Sequence, residues 1–174
     1  ITLERRETVD FSIPIFVDGT SVLIGPDTST EFADLAGQRI GVRAGTTTEA
    51  SLVNTLEALG MDADVVAVDS HEAGLSAIET SDITAYFADQ SILIELVKAS
   101  EMADTLRVSD EILTIEKQGL ALPRGDTDFR LSIDRALSQL YADGTIIRTF
   151  QESFGGATPG LALEALFLIA PERP

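Results

Sequence analysis

Apolar and polar residues alternate along this chain in blocks that predict strands followed by helices. The β-branched pair Ile40 and Val42 lies in a run bounded by two glycines, which indicates a short buried strand. A helix follows and ends at Gly60. Its apolar positions recur at helical spacing: Leu52, Val53, Leu56 and Leu59.

The same alternation continues through most of the chain. Four further apolar runs are expected to form strands: Val22–Ile24, Val65–Val68, Ile83–Phe87 and Gly119–Pro123. Helical patterns follow the last three runs, and Asp69 with Glu72 is expected to form a capping box at one helix start. Strands that alternate with helices predict an α/β fold built on a parallel sheet.

The junction after the strand at Ile40 is the most informative stretch. Thr46 is followed three residues later by Glu49, the spacing of a capping box. A helix start beyond the carboxyl end of a strand offers unpaired N–H donors and the positive end of the helix dipole. Such a place can hold a small anion such as a carboxylate. The alternative is that Thr46 only caps its helix.

Composition narrows the range of partners. The 174 residues carry a formal net charge of −17, from 12 basic and 29 acidic side chains, and 44% of them are hydrophobic. We expect no nucleic-acid or anionic-membrane partner, because contacts to phosphate groups need Lys and Arg. No apolar run reaches the length of a membrane span. The chain begins at Ile1, and we interpret it as a processed chain or a fragment.

The sequence carries no clear catalytic, metal or cofactor motif. It has no Cys, and its single histidine, His71, has no second histidine with which to form a zinc site. Gly41 and Gly45 lack the third glycine of a dinucleotide-binding fingerprint. We therefore expect a protein that is not an enzyme and binds no metal or cofactor. We also expect His71 to face solvent at a helix start.

Three features together suggest a small ligand. They are Arg5, the helix start at Thr46–Thr47, and Asp89, which follows the strand from Ile83. Ligands of open α/β sheets lie at the carboxyl ends of strands, and an arginine binds a carboxylate through two hydrogen bonds. The set matches a free amino acid, whose opposite charges are adjacent. On spacing alone, a helix cap at Asp89 and a solvated charge at Arg5 are better-supported alternatives.

Longer motifs make the chain similar to a known family. Ile1–Arg5 with Val9–Ser12 resembles an I-T-x-x-R motif followed by a D-F-S stretch. Further segments match in order and spacing: Leu35–Val42, Gly45–Thr47, Ala85–Asp89, Gly119–Pro123, Asp134–Leu137 and Asp143–Thr145. On these motifs, which cover most of the chain, it resembles the periplasmic solute-binding proteins of polar amino-acid ABC transporters, the bacterial extracellular solute-binding family 3.

This resemblance implies a type II periplasmic-binding-protein-like α/β fold. Its two lobes each have a central sheet flanked by helices, and they close on a ligand like a hinge. It implies that the protein captures a polar amino acid between its lobes and delivers it to an inner-membrane ABC permease, from a periplasmic or membrane-associated extracellular location. Two alternatives rank lower: a ligand-sensing domain of a signalling receptor, and a cyclohexadienyl-dehydratase-like enzyme.

The resemblance also implies a role for each candidate residue. Arg5 is expected to clamp the α-carboxylate of the ligand, and Thr47, helped by Thr46 and nearby backbone N–H groups, to bind the same carboxylate. Asp89 is expected to bind the α-ammonium. Arg43 is expected to reach toward the ligand side chain, where its charge favours an acidic or amide group.

Part of the family pattern lies outside this chain, namely the first-lobe segment that precedes the position of Ile1. We therefore expect a complete lobe 2 at residues 25–116. Lobe 1 is expected to be partial. Residues 1–24 are expected to hold its remnant and the first hinge strand, and residues 117–174 the second hinge strand and the carboxyl-terminal helices of lobe 1. A partial lobe exposes apolar surface, which favours a homodimer of the fragment.

Overall fold

A computed structural model describes residues 1–26, 28–29, 31–156 and 158–172. The strands are Val9–Phe11 (β1), Phe16–Ile24 (β2), Arg39–Arg43 (β3), Asp64–Val68 (β4), Ala85–Asp89 (β5), Arg107–Val108 (β6), Thr114–Gln118 (β7) and Ala121–Pro123 (β8). The α-helices are Thr47–Leu59 (α1), His71–Glu79 (α2), Gln90–Ala99 (α3), Thr127–Ala142 (α4), Thr145–Ser153 (α5) and Leu161–Ile169 (α6). Short 3₁₀ helices cover Arg5–Glu7 and Phe32–Leu35.

The chain forms two compact units. Unit 1 consists of Ile1–Asp18 and Glu116–Pro174, and unit 2 of Gly19–Ile115. Strands β2 and β7 each begin in one unit and end in the other. The lobe limits expected from the sequence stay a prediction, and the part of residues 117–174 that falls on positions 157, 173 and 174 lies outside the described residues.

The sheet of unit 2 has the strand order β4-β3-β5-β2-β6. Strand β3 runs parallel to both β4 and β5, whereas β2 runs antiparallel to β5. The residues of β3 and β5 are mostly buried because parallel strands are covered by helices on both faces. The predicted α/β class with a parallel core is confirmed.

Two apolar clusters cover the two faces of this sheet. On one face, Leu52 and Leu56 of α1 pack on a cluster that includes Val42 and Phe87. On the other, residues of α2 and α3 pack around Tyr86. Val53 and Leu59, which were expected on the buried face of α1, are 40% and 59% exposed. The sheet covers a narrower stripe of α1 than the apolar pattern predicts.

A tight contact joins α2 to the sheet at Gly74. The Tyr86 ring is fully buried, and a Cβ added at Gly74 would overlap three of its ring carbons, closer than van der Waals contact allows. Gly41, on the neighbouring strand β3, lies against the same ring less tightly, because a Cβ there would be 3.1 Å from Cδ2 of Tyr86. The ring therefore fills a space that two glycines leave open.

Unit 1 is built around long-range hydrogen bonds to its first residues. Strand β1 pairs antiparallel with β8. The buried carboxylate of Asp134 on α4 accepts a hydrogen bond from the Ile13 N–H at 2.7 Å, and the Tyr141 hydroxyl donates to the Pro14 carbonyl at 2.8 Å. These contacts fix α4 to the segment that leads into β2.

Unit 1 also exposes large apolar side chains, as expected from the sequence. Leu161 and Leu168 on α6 are 84% and 82% exposed, while Leu163 and Leu166 on the same helix are buried. Whether a second copy of the chain covers this surface stays a prediction.

Substituting Gly74 with Ala tests the close packing around Tyr86. The substitution favours the helix by about 1 kcal/mol, but overpacking costs about 1–3 kcal/mol because the buried aromatic ring has nowhere to move. We expect a net loss of free energy of unfolding of about 1 kcal/mol, measured as a lower urea midpoint by circular dichroism. Ser76→Ala, an exposed position on the same helix, serves as the control. Equal midpoints for the two variants would contradict the packing.

Candidate functional site

Three parallel strands of unit 2 bring their carboxyl ends to one edge of the sheet. Arg43 at the end of β3 is in register with Val68 at the end of β4, and the Ala44 N–H donates to the Val68 carbonyl at 2.9 Å. On the other side, β3 pairs in parallel with β5, which ends at Asp89. Helices α1, α2 and α3 begin just beyond these ends. This carboxyl edge is where open α/β sheets bind ligands.

The start of α1 contains the predicted capping box. The Glu49 N–H donates to the Thr46 hydroxyl at 3.2 Å, and that hydroxyl donates to the Arg43 carbonyl at 2.8 Å. The Glu49 carboxylate accepts from the Gly45 N–H at 2.7 Å, one residue before the cap. The predicted cap is therefore confirmed, with Gly45 as the backbone donor instead of Thr46.

Thr46 and Thr47 therefore differ in what they can offer a ligand. The Thr46 hydroxyl is engaged in the cap as both donor and acceptor, so a ligand would meet this residue chiefly through its backbone. Thr47 begins the helix, is half-buried, and lies where first-turn N–H groups have no partner inside the helix. The helix tip thus combines backbone donors, a hydroxyl and a positive dipole end.

Asp89 occupies the junction between β5 and α3. It is half-buried, it holds the N-cap position of α3, and it lies opposite Thr20 of β2 in the antiparallel register. Its side chain makes no capping hydrogen bond to α3, in contrast to Thr46 on α1. A carboxylate at this place brings negative charge to the edge that also carries Arg43 and the tip of α1.

The start of α2 differs from the prediction in two ways. The cap is Ser70, whose hydroxyl accepts from the Ala73 N–H at 3.1 Å, so the expected capping box of Asp69 and Glu72 is wrong. The expectation that His71 faces solvent is also wrong. His71 is half-buried, and its Nδ1 lies 2.9 Å from the Tyr86 hydroxyl.

Sequence reasoning missed Tyr86 as a member of this edge. The tyrosine lies in a strand run that reads as core, and its link to His71 depends on the packing of α2 over β5. The available signal was the presence of Gly41 and Gly74, which leave room for a large ring.

Burial and charge set the protonation of this pair. Burial raises the pKa of Tyr86 to about 12. Burial, followed by the nearby positive charge of Arg43, lowers the pKa of His71 below its ordinary value, against a smaller opposing effect of Glu72. At neutral pH, the edge therefore carries a neutral phenol and a neutral imidazole beside the Arg43 guanidinium.

Arg5 belongs to unit 1, whereas the other candidate residues belong to unit 2. It opens the 3₁₀ helix Arg5–Glu7, its side chain is exposed, and its carbonyl accepts from the Thr8 N–H at 3.1 Å. The other four candidates, Arg43, Thr46, Thr47 and Asp89, are brought together at the carboxyl edge of unit 2. Their roles in binding stay predictions.

Comparison with known proteins identifies the family. Residues 1–156 match the family described as bacterial extracellular solute-binding proteins, family 3, and the chain belongs to this family. The L-glutamate/L-aspartate-binding protein of Pseudomonas aeruginosa is 28% identical over 97% of this chain and 56% of its own length. The L-cystine-binding protein TcyJ of Escherichia coli K12 is 28% identical over 89% of this chain and 57% of its own length. The chain thus spans about half the length of the curated relatives it matches.

Solved structures agree on the fold. The GluR0 ligand-binding core from Nostoc punctiforme, in complex with L-glutamate, matches with a TM-score of 0.70 at 27% identity, over 87% of this chain and 68% of its own. The fold is that of the type II periplasmic binding proteins, as predicted. In the part of the chain that the structure describes, no helix has the length and apolar character needed to cross a membrane.

Replacing Thr46 with Ala tests the cap at the start of α1. The change removes the acceptor for the Glu49 N–H, so we expect a loss of about 1 kcal/mol in the free energy of unfolding. Thr46→Ser keeps the hydroxyl and should lie within about 0.5 kcal/mol of the parent protein. Urea unfolding of both variants measures the difference. A loss in the Ser variant as large as in the Ala variant would show that the methyl group, not the hydroxyl, matters.

Proposed function

We propose that this protein binds a polar amino acid as part of a solute-binding component of an ABC transporter. The observation that carries the proposal is the carboxyl edge of unit 2, where a capped helix tip and the Asp89 carboxylate adjoin in a chain of this family. Such an edge offers positive potential and N–H donors for a carboxylate, and a carboxylate for an ammonium. The edge therefore has a complementary group for each of the two charges of a zwitterionic amino acid.

The proposed ligand contacts follow from this chemistry. The tip of α1, through Thr47 and the backbone at Thr46, binds the α-carboxylate, and Asp89 binds the α-ammonium. Arg5 adds a second donor group for the α-carboxylate, as the family resemblance implies. Three or four charge-assisted hydrogen bonds, each about 1.5–3 kcal/mol, are enough for about micromolar affinity.

The proposed ligand side chain is acidic or an amide. Arg43 ends the strand next to the one that carries Asp89, and its guanidinium favours an oxygen-bearing side chain. The glutamate/aspartate-binding relative supports this choice. The proposed partner is an ABC permease of the inner membrane, reached from a periplasmic or membrane-associated extracellular location.

One alternative has a specific observation in its favour. The matched GluR0 core is a ligand-binding core crystallised with L-glutamate, so the same fold and ligand chemistry also suit a ligand-sensing domain of a receptor. We rank an enzyme lower, because the curated relatives are binding proteins. A phenylpyruvate-release assay with prephenate separates a cyclohexadienyl-dehydratase-like activity from binding without turnover.

Isothermal titration of the chain with each of the common amino acids tests the proposal. We expect binding of at least one acidic or amide amino acid, and Asp89→Ala should weaken it roughly tenfold or more through loss of a charged hydrogen bond. Asp69→Ala is the matched control, because Asp69 follows strand β4 of the same sheet and is exposed. If none of the amino acids produced detectable binding, that result would count decisively against the proposal.

Separate alanine substitutions of Arg5 and of its neighbour Arg6 test the proposed role of Arg5 in ligand binding. Arg5→Ala is expected to weaken amino-acid binding roughly tenfold or more, whereas Arg6→Ala leaves the affinity unchanged. Arg6 instead lies 5.6 Å from the ring centre of Phe11, as a cation–π contact within unit 1. Equal affinities for the parent and the Arg5 variant would reject this assignment and leave the assignment of Asp89 intact.

A further inference from the structure

We infer that Tyr86 is a positioning residue that acts through His71: it holds the imidazole so that Nε2–H is the hydrogen-bond donor available beside Arg43. The edge then selects amino acids whose side chain carries an acceptor oxygen. This inference rests on the proposed function and adds two residues, Tyr86 and His71, to the side-chain end of the site.

The structure leaves the Tyr86 ring almost no freedom. It has no exposed surface. A Cβ at Gly74 would collide with it, and a Cβ at Gly41 would lie in tight contact with it, 3.1 Å from Cδ2. The imidazole of His71 meets the ring edge-on, with centroids 6.0 Å apart and an interplanar angle of 81°. The Tyr86 hydroxyl is thereby placed 2.9 Å from Nδ1 of His71.

The direction of this hydrogen bond follows from burial. The Tyr86 hydroxyl is protonated at neutral pH because burial raises its pKa to about 12. A buried O–H needs an acceptor, and within the described residues His71 Nδ1 is the side-chain atom that lies in reach. Tyr86 therefore donates to Nδ1, and the single ring proton of the neutral imidazole lies on Nε2.

The surroundings keep this imidazole neutral. The groups that face it are Arg43 from β3, Tyr86 from β5 and Glu72 from its own helix. Burial and the Arg43 charge lower the pKa of His71, and Glu72 opposes them. Protonation at Nδ1 would also deprive the Tyr86 hydroxyl of its acceptor. His71 thus presents one donor and no added positive charge.

A neutral N–H donor beside a guanidinium defines the side chain that fits. Carboxylate and amide oxygens accept from both groups. The ammonium of lysine and the guanidinium of arginine carry donors only, and Arg43 repels them. The selected ligands are therefore glutamate, aspartate, glutamine or asparagine rather than basic amino acids.

The first test reads the imidazole directly and needs no ligand. The chain has one histidine, so a long-range ¹H–¹⁵N correlation spectrum of the ¹⁵N-labelled chain contains a single imidazole. We expect an unprotonated Nδ1 and a protonated Nε2 at neutral pH. Tyr86→Phe removes the donor that stabilises the neutral ring and should raise the pKa of His71.

Tyr141→Phe is the matched control. Tyr141 is the second of the two tyrosines, its pKa is likewise raised to about 12 by burial, and its hydroxyl donates to a backbone carbonyl in unit 1. This variant should leave the His71 resonances and pKa unchanged. A protonated Nδ1 in the parent protein, or equal titration curves for the two Phe variants, would overturn the inference.

The second test links the pair to ligand choice. His71→Gln keeps an N–H donor near the position of Nε2 and should retain glutamate affinity within about threefold, whereas His71→Asn, which keeps only the Nδ1 side, should lose about tenfold. Tyr86→Phe should lose severalfold in glutamate affinity.

The outcomes of these titrations separate the two proposals. Glutamate affinity that is unchanged in both His71→Asn and Tyr86→Phe overturns the inference while the proposed function stands. An absence of binding by the parent protein rejects the proposed function, and with it the role of this pair in ligand choice. In that case a confirmed Nε2–H tautomer would stand as a structural property alone.

Discussion

The parallel pairing of β3 with both β4 and β5 is the constraint on which the rest of unit 2 depends. It fixes Arg43, Val68 and Asp89 at one edge and starts three helices there. A register shift of one residue in any of these strands would turn its side chains to the opposite face of the sheet. The apolar clusters on both faces resist such a shift, so the packing of the core and the geometry of the edge are maintained together.

Local patterns were enough to predict the elements that matter most for this edge. The strand at Ile40 and the cap formed by Thr46 and Glu49 depend on neighbours within a few residues, and the structure has both. The strand–helix alternation also predicted the α/β class, and the family motifs added the type II periplasmic-binding-protein fold. The buried stripe of α1 proved narrower than its apolar pattern, because the width of a covered face depends on what the sheet presents, and periodicity does not carry that information.

Sequence patterns did not predict the contacts between secondary-structure elements. The hydrogen bond between His71 and Tyr86 joins a helix start to the interior of a strand, and it depends on two glycines placed on different elements. Likewise, Ser70 and Asp69 are both good capping residues, and in the structure it is Ser70 that caps α2. Such features depend on how the elements pack, and composition does not reveal them.

The discontinuity of unit 1 has a consequence for biosynthesis. Strand β1 is translated before all of unit 2, but its partner β8 lies more than a hundred residues later, because Val9 pairs with Pro123. At roughly 5–20 residues per second, β1 waits on the order of ten seconds for its partner, while all of unit 2 emerges in between. All of unit 2 is therefore available for folding before β8 exists, and the edge of β1 needs protection from premature pairing during that interval.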